Sequence, residues 1–173
     1  MRLTLKLAAL AAVLTTASPA LAAVSANAVA DAKGLVLQPL TLTKVSDLDF
    51  GTVISTVVAG TVVIDADTGG RTVTGGVTPI PAYPGGRAVF AGAGTAGEAV
   101  NLTLNAPSVL VSTTNPSDTL IVNNLALDNG GAILRTIDPT SVFFVGVGGS
   151  FGIAASQANG LYVAQFDVTA DYQ

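Results

Sequence analysis

The protein has 173 residues, of which 7 are lysine or arginine and 11 are aspartate or glutamate, giving a net charge of −4. It contains no histidine, cysteine or tryptophan, which excludes disulfide bonds and nucleophilic catalysis by cysteine or by a histidine-containing triad. The few basic residues are scattered and the balance is acidic, so the chain lacks the basic surface of a protein that binds nucleic acid.

The N-terminal residues have the pattern of a signal peptide. Arg2 and Lys6 supply a positively charged start, residues 7–14 are apolar, and small residues lead to Ala22. This order is typical of a secretory signal, and the apolar run is too short to span a bilayer. We therefore expect residues 1–22 to be removed and the rest of the chain to be exported.

The mature chain is predicted to begin with an extension over residues 23–34. It carries little charge, and in an extended conformation every second side chain would lie on one face. That face presents only small apolar side chains, those of Val24, Ala26, Ala28, Ala30 and Ala32. Such a segment is suited to join the edge of a β-sheet, either in its own chain or in another.

Residues 35–173 are predicted to form one all-β domain. Short segments rich in valine, threonine, leucine and isoleucine alternate apolar and polar residues, and clusters of Gly, Pro, Asn and Asp separate them at intervals of about 8–12 residues. We find no amphipathic helical pattern after the signal peptide. The spacing predicts an immunoglobulin-like antiparallel β-sandwich, and the length suits a single domain.

One glycine-rich segment, GAGTAG (Gly92–Gly97), matches the fingerprint of dinucleotide-binding proteins. In those proteins a helix begins at the glycines, and its N-terminus binds the pyrophosphate. Here the next residues, EAVNLTLN, alternate as in a strand, and Pro107 follows shortly afterwards. We therefore predict a glycine-rich hairpin turn and no bound cofactor.

Two acidic pairs are candidates for other chemistry. DADTGG (Asp65–Gly70) resembles the start of a calcium loop, but the closing glutamate is absent. A hairpin turn capped by the side chains of Asp65 and Asp67 is therefore favoured over a weak calcium site. Asp47 and Asp49 share one face of a strand, as a glycosidase pair could, but solvated charges at a sheet edge are favoured. We assign no catalytic residue and no metal ligand.

Residues 159–173 alternate apolar and polar side chains as one closing strand. The apolar face is predicted to carry Gly160, Tyr162, Ala164, Phe166, Val168, Ala170 and Tyr172. A glycine at the start of this alternation and a tyrosine at its end resemble the C-terminal motif of subunits that are assembled by the chaperone–usher pathway.

This resemblance implies a mechanism of assembly. In that family the C-terminal strand borders a groove, because an immunoglobulin-like sandwich lacks its last strand. A periplasmic chaperone fills the groove first, and the N-terminal extension of the next subunit replaces it at an outer-membrane usher. By the same resemblance, residues 160–172 border the groove and residues 23–32 of a neighbour fill it as a donor strand.

A second resemblance extends over most of the mature chain. It rests on PLTLTKVSDLDFGTV (Pro39–Val53), FFVGVGGSFGI (Phe143–Ile153) and the Gly-x-Tyr tail. These segments are similar to a family of exported bacterial domains of unknown function, which share a signal peptide, an LDFG segment, a VGG segment and a closing strand. The resemblance implies a pilin-like domain, and it indicates no catalytic activity or ligand.

Together these patterns predict a structural subunit of an extracellular fibre or pilus-like assembly. It would pass through the periplasm to the cell surface and polymerise with identical or related subunits by β-strand addition. We expect no enzymatic activity, no cofactor and no nucleic acid partner. The alternative is an exported monomeric β-sandwich that binds a carbohydrate or another surface ligand, with its N-terminal extension paired within its own chain.

Overall fold

A computed structural model of the protein describes residues 25–173. The predicted signal peptide and the first extension residues, Ala23 and Val24, lie outside the described residues. The chain divides into two units, the first ending at Leu35 and the second running from Val36 to Gln173. In the described part of the first unit, residues 25–35, no strand is present and the side chains are exposed.

The second unit consists almost entirely of strands. Their bounds are β1 (Thr41–Ser46), β2 (Val53–Ile64), β3 (Arg71–Pro79), β4 (Ala88–Ala93), β5 (Ala99–Asn105), β6 (Val109–Ser112), β7 (Thr119–Leu127), β8 (Leu134–Thr136), β9 (Val142–Ile153), β10 (Tyr162–Val163) and β11 (Asp167–Tyr172). One short helical turn, α1 (Asp128–Gly131), follows β7. Among residues 25–173 no helix has the length and apolarity needed to cross a membrane.

The larger sheet is organised around β9, whose sequence VFFVGVGGSFGI is apolar along most of its length. The strand order is β1-β4-β9-β7-β6-β10, and the β2–β3 hairpin joins the same sheet through β9. The first half of β9 pairs with β4 and the second half with β2, while β7 pairs with its opposite edge. Because both edges of β9 are occupied, this strand holds the sheet together.

A smaller sheet of three strands has the order β11-β5-β8, and every strand pair in both sheets is antiparallel. Apolar side chains of β4 and β9 pack against those of β5, including Phe90, Val145 and Leu102, in one buried cluster. Each such side chain contributes about 1.5–3 kcal/mol on full burial. The two antiparallel sheets with a core between them confirm the predicted all-β sandwich.

The closing segment differs from its prediction as one continuous strand. Tyr162 and Val163 (β10) pair with β6 in the larger sheet, whereas Asp167–Tyr172 (β11) pair with β5 in the smaller sheet. Residues 164–166 have no strand pairing because the chain crosses there from one sheet to the other. Ala164 is exposed, as is Gly160, whereas the other residues of the predicted face are half-buried: Tyr162, Phe166, Val168, Ala170 and Tyr172.

Candidate functional site

A groove with a volume of about 810 Å³ opens beside the closing segment. One wall is formed by residues 48–55, which comprise most of the connection after β1 and the start of β2. The other wall is formed by residues 157–166, which lead from β9 through β10. The floor between them consists of apolar side chains from β6, β7 and β9, namely Leu110, Leu120, Val122, Leu125, Phe151 and Ile153. The groove is therefore an opening into the core of the sandwich.

The strands in both walls have an unpaired backbone edge. The first part of β2 (Val53–Ser55) pairs only with β3, because its pairing with β9 begins at Gly60. On the opposite wall, β10 pairs only with β6. An unpaired edge presents N–H and C=O groups that another strand can bind. The groove thus combines an apolar floor with free backbone groups on both sides.

Two aromatic contacts fix the walls to the core. The rings of Phe50 and Phe151 meet edge to face, with centroids 4.7 Å apart. The rings of Phe166 and Phe90 meet in the same manner at 6.1 Å. Edge-to-face packing is a favoured geometry for aromatic pairs and adds to the energy of burial. Because Phe50 and Phe166 stand on opposite walls, each wall has its own anchor in the core.

Arg71 holds the wall that contains the LDFG segment, a role that the sequence did not reveal. Its guanidinium group donates hydrogen bonds to the carbonyl oxygens of Phe50, Thr52, Ile80 and Tyr83, at 2.9–3.3 Å. The same contact explains the glycine of LDFG. Gly51 has a φ of +72°, and a Cβ atom there would collide with the guanidinium of Arg71 and the carbonyl of Tyr83.

The predicted face of the closing segment is largely found at the groove and the adjoining core. Gly160, Ala164 and Phe166 line the groove together with Tyr162. Farther along, the half-buried side chains of Val168, Ala170 and Tyr172 pack against the core beneath β11. The polar residues between them, Asp167, Thr169 and Asp171, are exposed.

Hydrogen bonds join the two walls at one end of the groove, and a separate hydrogen bond holds the end of β11. Near β9, the N–H of Ser156 donates to the carbonyl of Thr56 at 2.7 Å, and the Ser55 hydroxyl donates to the carbonyl of Gln157 at 3.1 Å. At the end of β11, the Tyr172 hydroxyl donates to the carbonyl of Gln38 at 2.8 Å.

The predicted donor residues have no strand in the described part of the chain. Val24 lies outside it, and Ala26, Ala28, Ala30 and Ala32 are exposed and outside any strand. The first strand in residues 25–173 begins at Thr41. The described part of the extension, residues 25–34, therefore pairs with no strand.

The GAGTAG segment connects the two sheets, so the predicted hairpin turn is wrong. β4 belongs to the larger sheet and β5 to the smaller one, and they do not pair. As predicted, a strand rather than a helix follows the glycines. A Cβ atom at Gly94 would lie 2.5 Å from Tyr172 Oη, one at Gly92 would collide with the Phe143 ring, and Gly97 has a φ of +83°. The glycines thus serve close packing and a turn.

The DADTGG segment forms the predicted hairpin turn between β2 and β3. Asp65 accepts hydrogen bonds from the Thr68 N–H at 2.7 Å, the Thr68 hydroxyl at 2.8 Å and the Asp67 N–H at 3.1 Å. The bonds from Thr68 are the main cause that lowers the pKa of Asp65 below its ordinary value of 3.8. Asp67 accepts a hydrogen bond from the Asn129 N–H at 2.6 Å. Asp65 therefore caps the hairpin as predicted, whereas the Asp67 carboxylate binds the α1 turn instead.

The second acidic pair has a similar structural use. Asp47 forms an exposed ion pair with Lys44 at 2.6 Å, and Asp49 accepts a hydrogen bond from the Gly51 N–H at 2.7 Å at the start of the groove wall. Within residues 25–173 no cluster of three or more acidic or other metal-binding side chains is present.

A family model described as a domain of unknown function (DUF4402) matches residues 40–172. The chain belongs to the DUF4402 family. The match begins one residue before β1 and ends with β11, so the DUF4402 domain comprises the whole strand framework and excludes the N-terminal extension. Comparison with curated proteins and with solved structures gives no match.

Parts of the segments that carried the family resemblance line this groove. LDFG forms part of one wall, the closing segment forms the other, and the end of β9 (Phe151 and Ile153) contributes to the floor. These segments are far apart in the sequence. The groove is therefore built from parts of the chain that are distant in the sequence, although the VGG residues themselves (Val147–Gly149) do not line it.

Proposed function

We propose that the DUF4402 domain is a structural subunit of an extracellular fibre or pilus-like surface assembly, and that its groove accepts a β-strand from another chain. The observation that carries this proposal is the apolar groove of about 810 Å³ between walls whose strands each have an unpaired edge. Strand addition of this kind combines backbone hydrogen bonds with side chains that enter apolar pockets.

An inserted strand would complete the domain in two ways. It would pair with the free groups of Val53–Ser55 on one side and of β10 on the other, with each hydrogen bond contributing about 0.5–1.5 kcal/mol net. It would also cover the half-buried Phe50 and Phe166 and the apolar floor. Burial of that surface supplies the main driving force for association.

The proposal includes partners and a route to the surface. An open edge beside an apolar floor invites incorrect pairing and aggregation, so we propose that a periplasmic chaperone occupies the groove before assembly at an outer-membrane usher. The signal-peptide pattern of residues 1–22 supports export. The final partners are identical or related subunits.

The second candidate function is a monomeric exported binding module, and the size of the groove supports this function. A volume of about 810 Å³ falls within the range of about 300–1,000 Å³ that is usual for small-molecule sites. The lining is predominantly apolar, so this function would involve an apolar ligand rather than a carbohydrate. Under either function we propose no enzymatic activity, which is supported by the use of Asp49, Asp65 and Asp67 in backbone turns.

Incorporation of matched variants into surface filaments tests the fibre proposal. Val53 is half-buried and lines the groove, whereas Val45 on β1 is 64% exposed and does not line it. In the cells that make the protein, wild type and Val45→Asp should be found in purified filaments by electron microscopy and mass spectrometry. Val53→Asp should be folded and exported but absent from them. Equal incorporation of both variants, or no wild-type protein in any filament, would refute the proposal.

A further inference from the structure

The apolar lining of the groove favours bulky apolar side chains on the strand that fills it. Its floor contains Leu120, Phe151 and Ile153, and its walls contribute the rings of Phe50 and Phe166. A strand directs only every second side chain to one face. Those side chains must reach the floor, because unfilled volume leaves the lining without packing partners. An alanine presents only a methyl group to this floor, so it covers much less of the apolar lining than isoleucine, leucine or phenylalanine would.

The N-terminal extension of this chain offers no such side chains on either face. One face consists of Val24 followed by the alanines at 26, 28, 30 and 32. The other face carries Ser25, Asn27 and Asp31, with Val29 as its one apolar member up to residue 32. Neither face presents the alternating bulky apolar residues that the floor favours.

The bulky residues that come next, Leu35, Val36 and Leu37, are too close to their own domain to serve a neighbour. Both backbone groups of Gln38 are bound: its N–H donates to Thr95 Oγ1 at 2.7 Å, and its carbonyl accepts from Tyr172 Oη at 2.8 Å. Three extended residues reach at most about 10 Å. These residues therefore cannot extend along the groove of a second copy while Gln38 stays bound.

We infer that the strand which fills this groove comes from a different polypeptide, one with bulky aliphatic or aromatic side chains at alternate positions, and not from a second copy of this chain. The inference rests on the proposed function and specifies its partner. The DUF4402 domain is then an acceptor in a mixed assembly and does not form a homopolymer through its Ala23–Ala32 segment.

Binding of synthetic peptides to the mature protein (residues 23–173) tests this inference. The first peptide has the native sequence AVSANAVADA (Ala23–Ala32), and the second carries Ala26→Ile, Ala28→Ile and Ala30→Ile. A control adds Val29→Pro to the isoleucine peptide, because proline removes a ladder hydrogen bond and disfavours strand pairing. Fluorescence polarisation measures each Kd, with Val53→Asp and Val45→Asp proteins as groove and surface controls.

The isoleucine peptide should bind at least tenfold more tightly than the native peptide, since each isoleucine adds three buried carbons. The proline control should lose this gain, and Val53→Asp protein should bind weakly while Val45→Asp binds as wild type. A native peptide that binds as tightly as the isoleucine peptide, or mature protein that sediments as a homopolymer, would overturn the inference and leave the proposed function standing. Failure of both peptides to bind would overturn both.

Discussion

The hydroxyl of Tyr172 donates a hydrogen bond to the carbonyl of Gln38 at 2.8 Å and accepts one from the N–H of Thr95 at 2.7 Å. This single side chain joins the end of β11 to the residues that precede β1 and to the connection between β4 and β5. Gln38 in turn donates to Thr95 Oγ1 at 2.7 Å. The three residues form a small network that fixes the position of β11 relative to β1, beyond the open groove.

Removing the Tyr172 hydroxyl should measurably weaken the domain. Tyr172→Phe retains the ring but leaves the N–H of Thr95 without its partner, which should cost about 1–3 kcal/mol in the free energy of unfolding. Urea denaturation of the mature protein measures this value. Tyr83→Phe is the matched control, because Tyr83 is 65% exposed, and should change stability by less than about 0.5 kcal/mol. Equal effects of the two substitutions would contradict the role of the network.

A methyl group at Gly94 should disturb the same region by steric conflict. Its Cβ atom would lie 2.5 Å from Tyr172 Oη and 2.8 Å from the Cδ1 atom of Ile137. Overpacking of this kind typically costs about 1–3 kcal/mol, so Gly94→Ala should lower the midpoint of thermal unfolding. Gly86→Ala serves as the control, since a Cβ atom there meets nothing within 4 Å. A Gly94→Ala protein as stable as wild type would show that this packing is looser than described.

Arg71 should be needed to keep the LDFG wall in place. Arg71→Met preserves much of the apolar stem but removes the hydrogen bonds to four carbonyl groups, and we expect a loss of at least about 2 kcal/mol. Lys44→Met provides the comparison, because it removes the exposed Lys44–Asp47 ion pair, which should contribute less than about 1 kcal/mol. Hydrogen exchange should also become faster in residues 48–55 of the Arg71 variant. Unchanged hydrogen exchange in residues 48–55 would refute the proposal that Arg71 holds this wall in place.

Two aspartates, Asp65 and Asp138, should make the free energy of unfolding decrease as the pH becomes acidic. The Thr68 groups lower the pKa of Asp65, and the Thr140 hydroxyl is the main group that lowers the pKa of Asp138 below 3.8. A lowered pKa in the folded state means that the stabilisation is complete above the unfolded pKa and is lost as pH falls through the folded one. Stability curves of wild type and Asp65→Asn/Asp138→Asn should therefore differ at neutral pH and converge on acidification. A difference that stays constant down to low pH would contradict this account.

The sequence was sufficient to predict the fold class because the relevant signals are local. Period-2 alternation identified β11, and the DADTGG segment marked the hairpin between β2 and β3. These features depend on neighbouring residues. Their interpretation did not require knowledge of which strands pair.

The sequence-based predictions were wrong where the structure depends on pairing with residues that are distant in the sequence. Alternation continues through residues 164–166, so it gives no sign that the chain leaves one sheet for the other. Turn chemistry at Gly92–Gly97 likewise does not specify which sheet the next strand joins. Arg71 stands out in the sequence as one of few charged residues in an apolar chain, but the sequence does not show what it binds. Two of its carbonyl partners lie 21 and 19 residues before it, and the other two lie 9 and 12 residues after it. The groove cannot be predicted from the sequence because its two walls, residues 48–55 and 157–166, come together only in the folded chain.

The most direct test of the central claim is to identify what occupies the groove in the native assembly. A photo-reactive amino acid at position 53, inside the groove, should cross-link in living cells to a segment of another polypeptide, which mass spectrometry of the adduct would identify. That segment should be extended, with apolar side chains at alternate positions, and the same probe at position 45 should not capture it. Cross-links from position 53 that remain entirely within one chain, in protein that sediments as a monomer, would contradict the account.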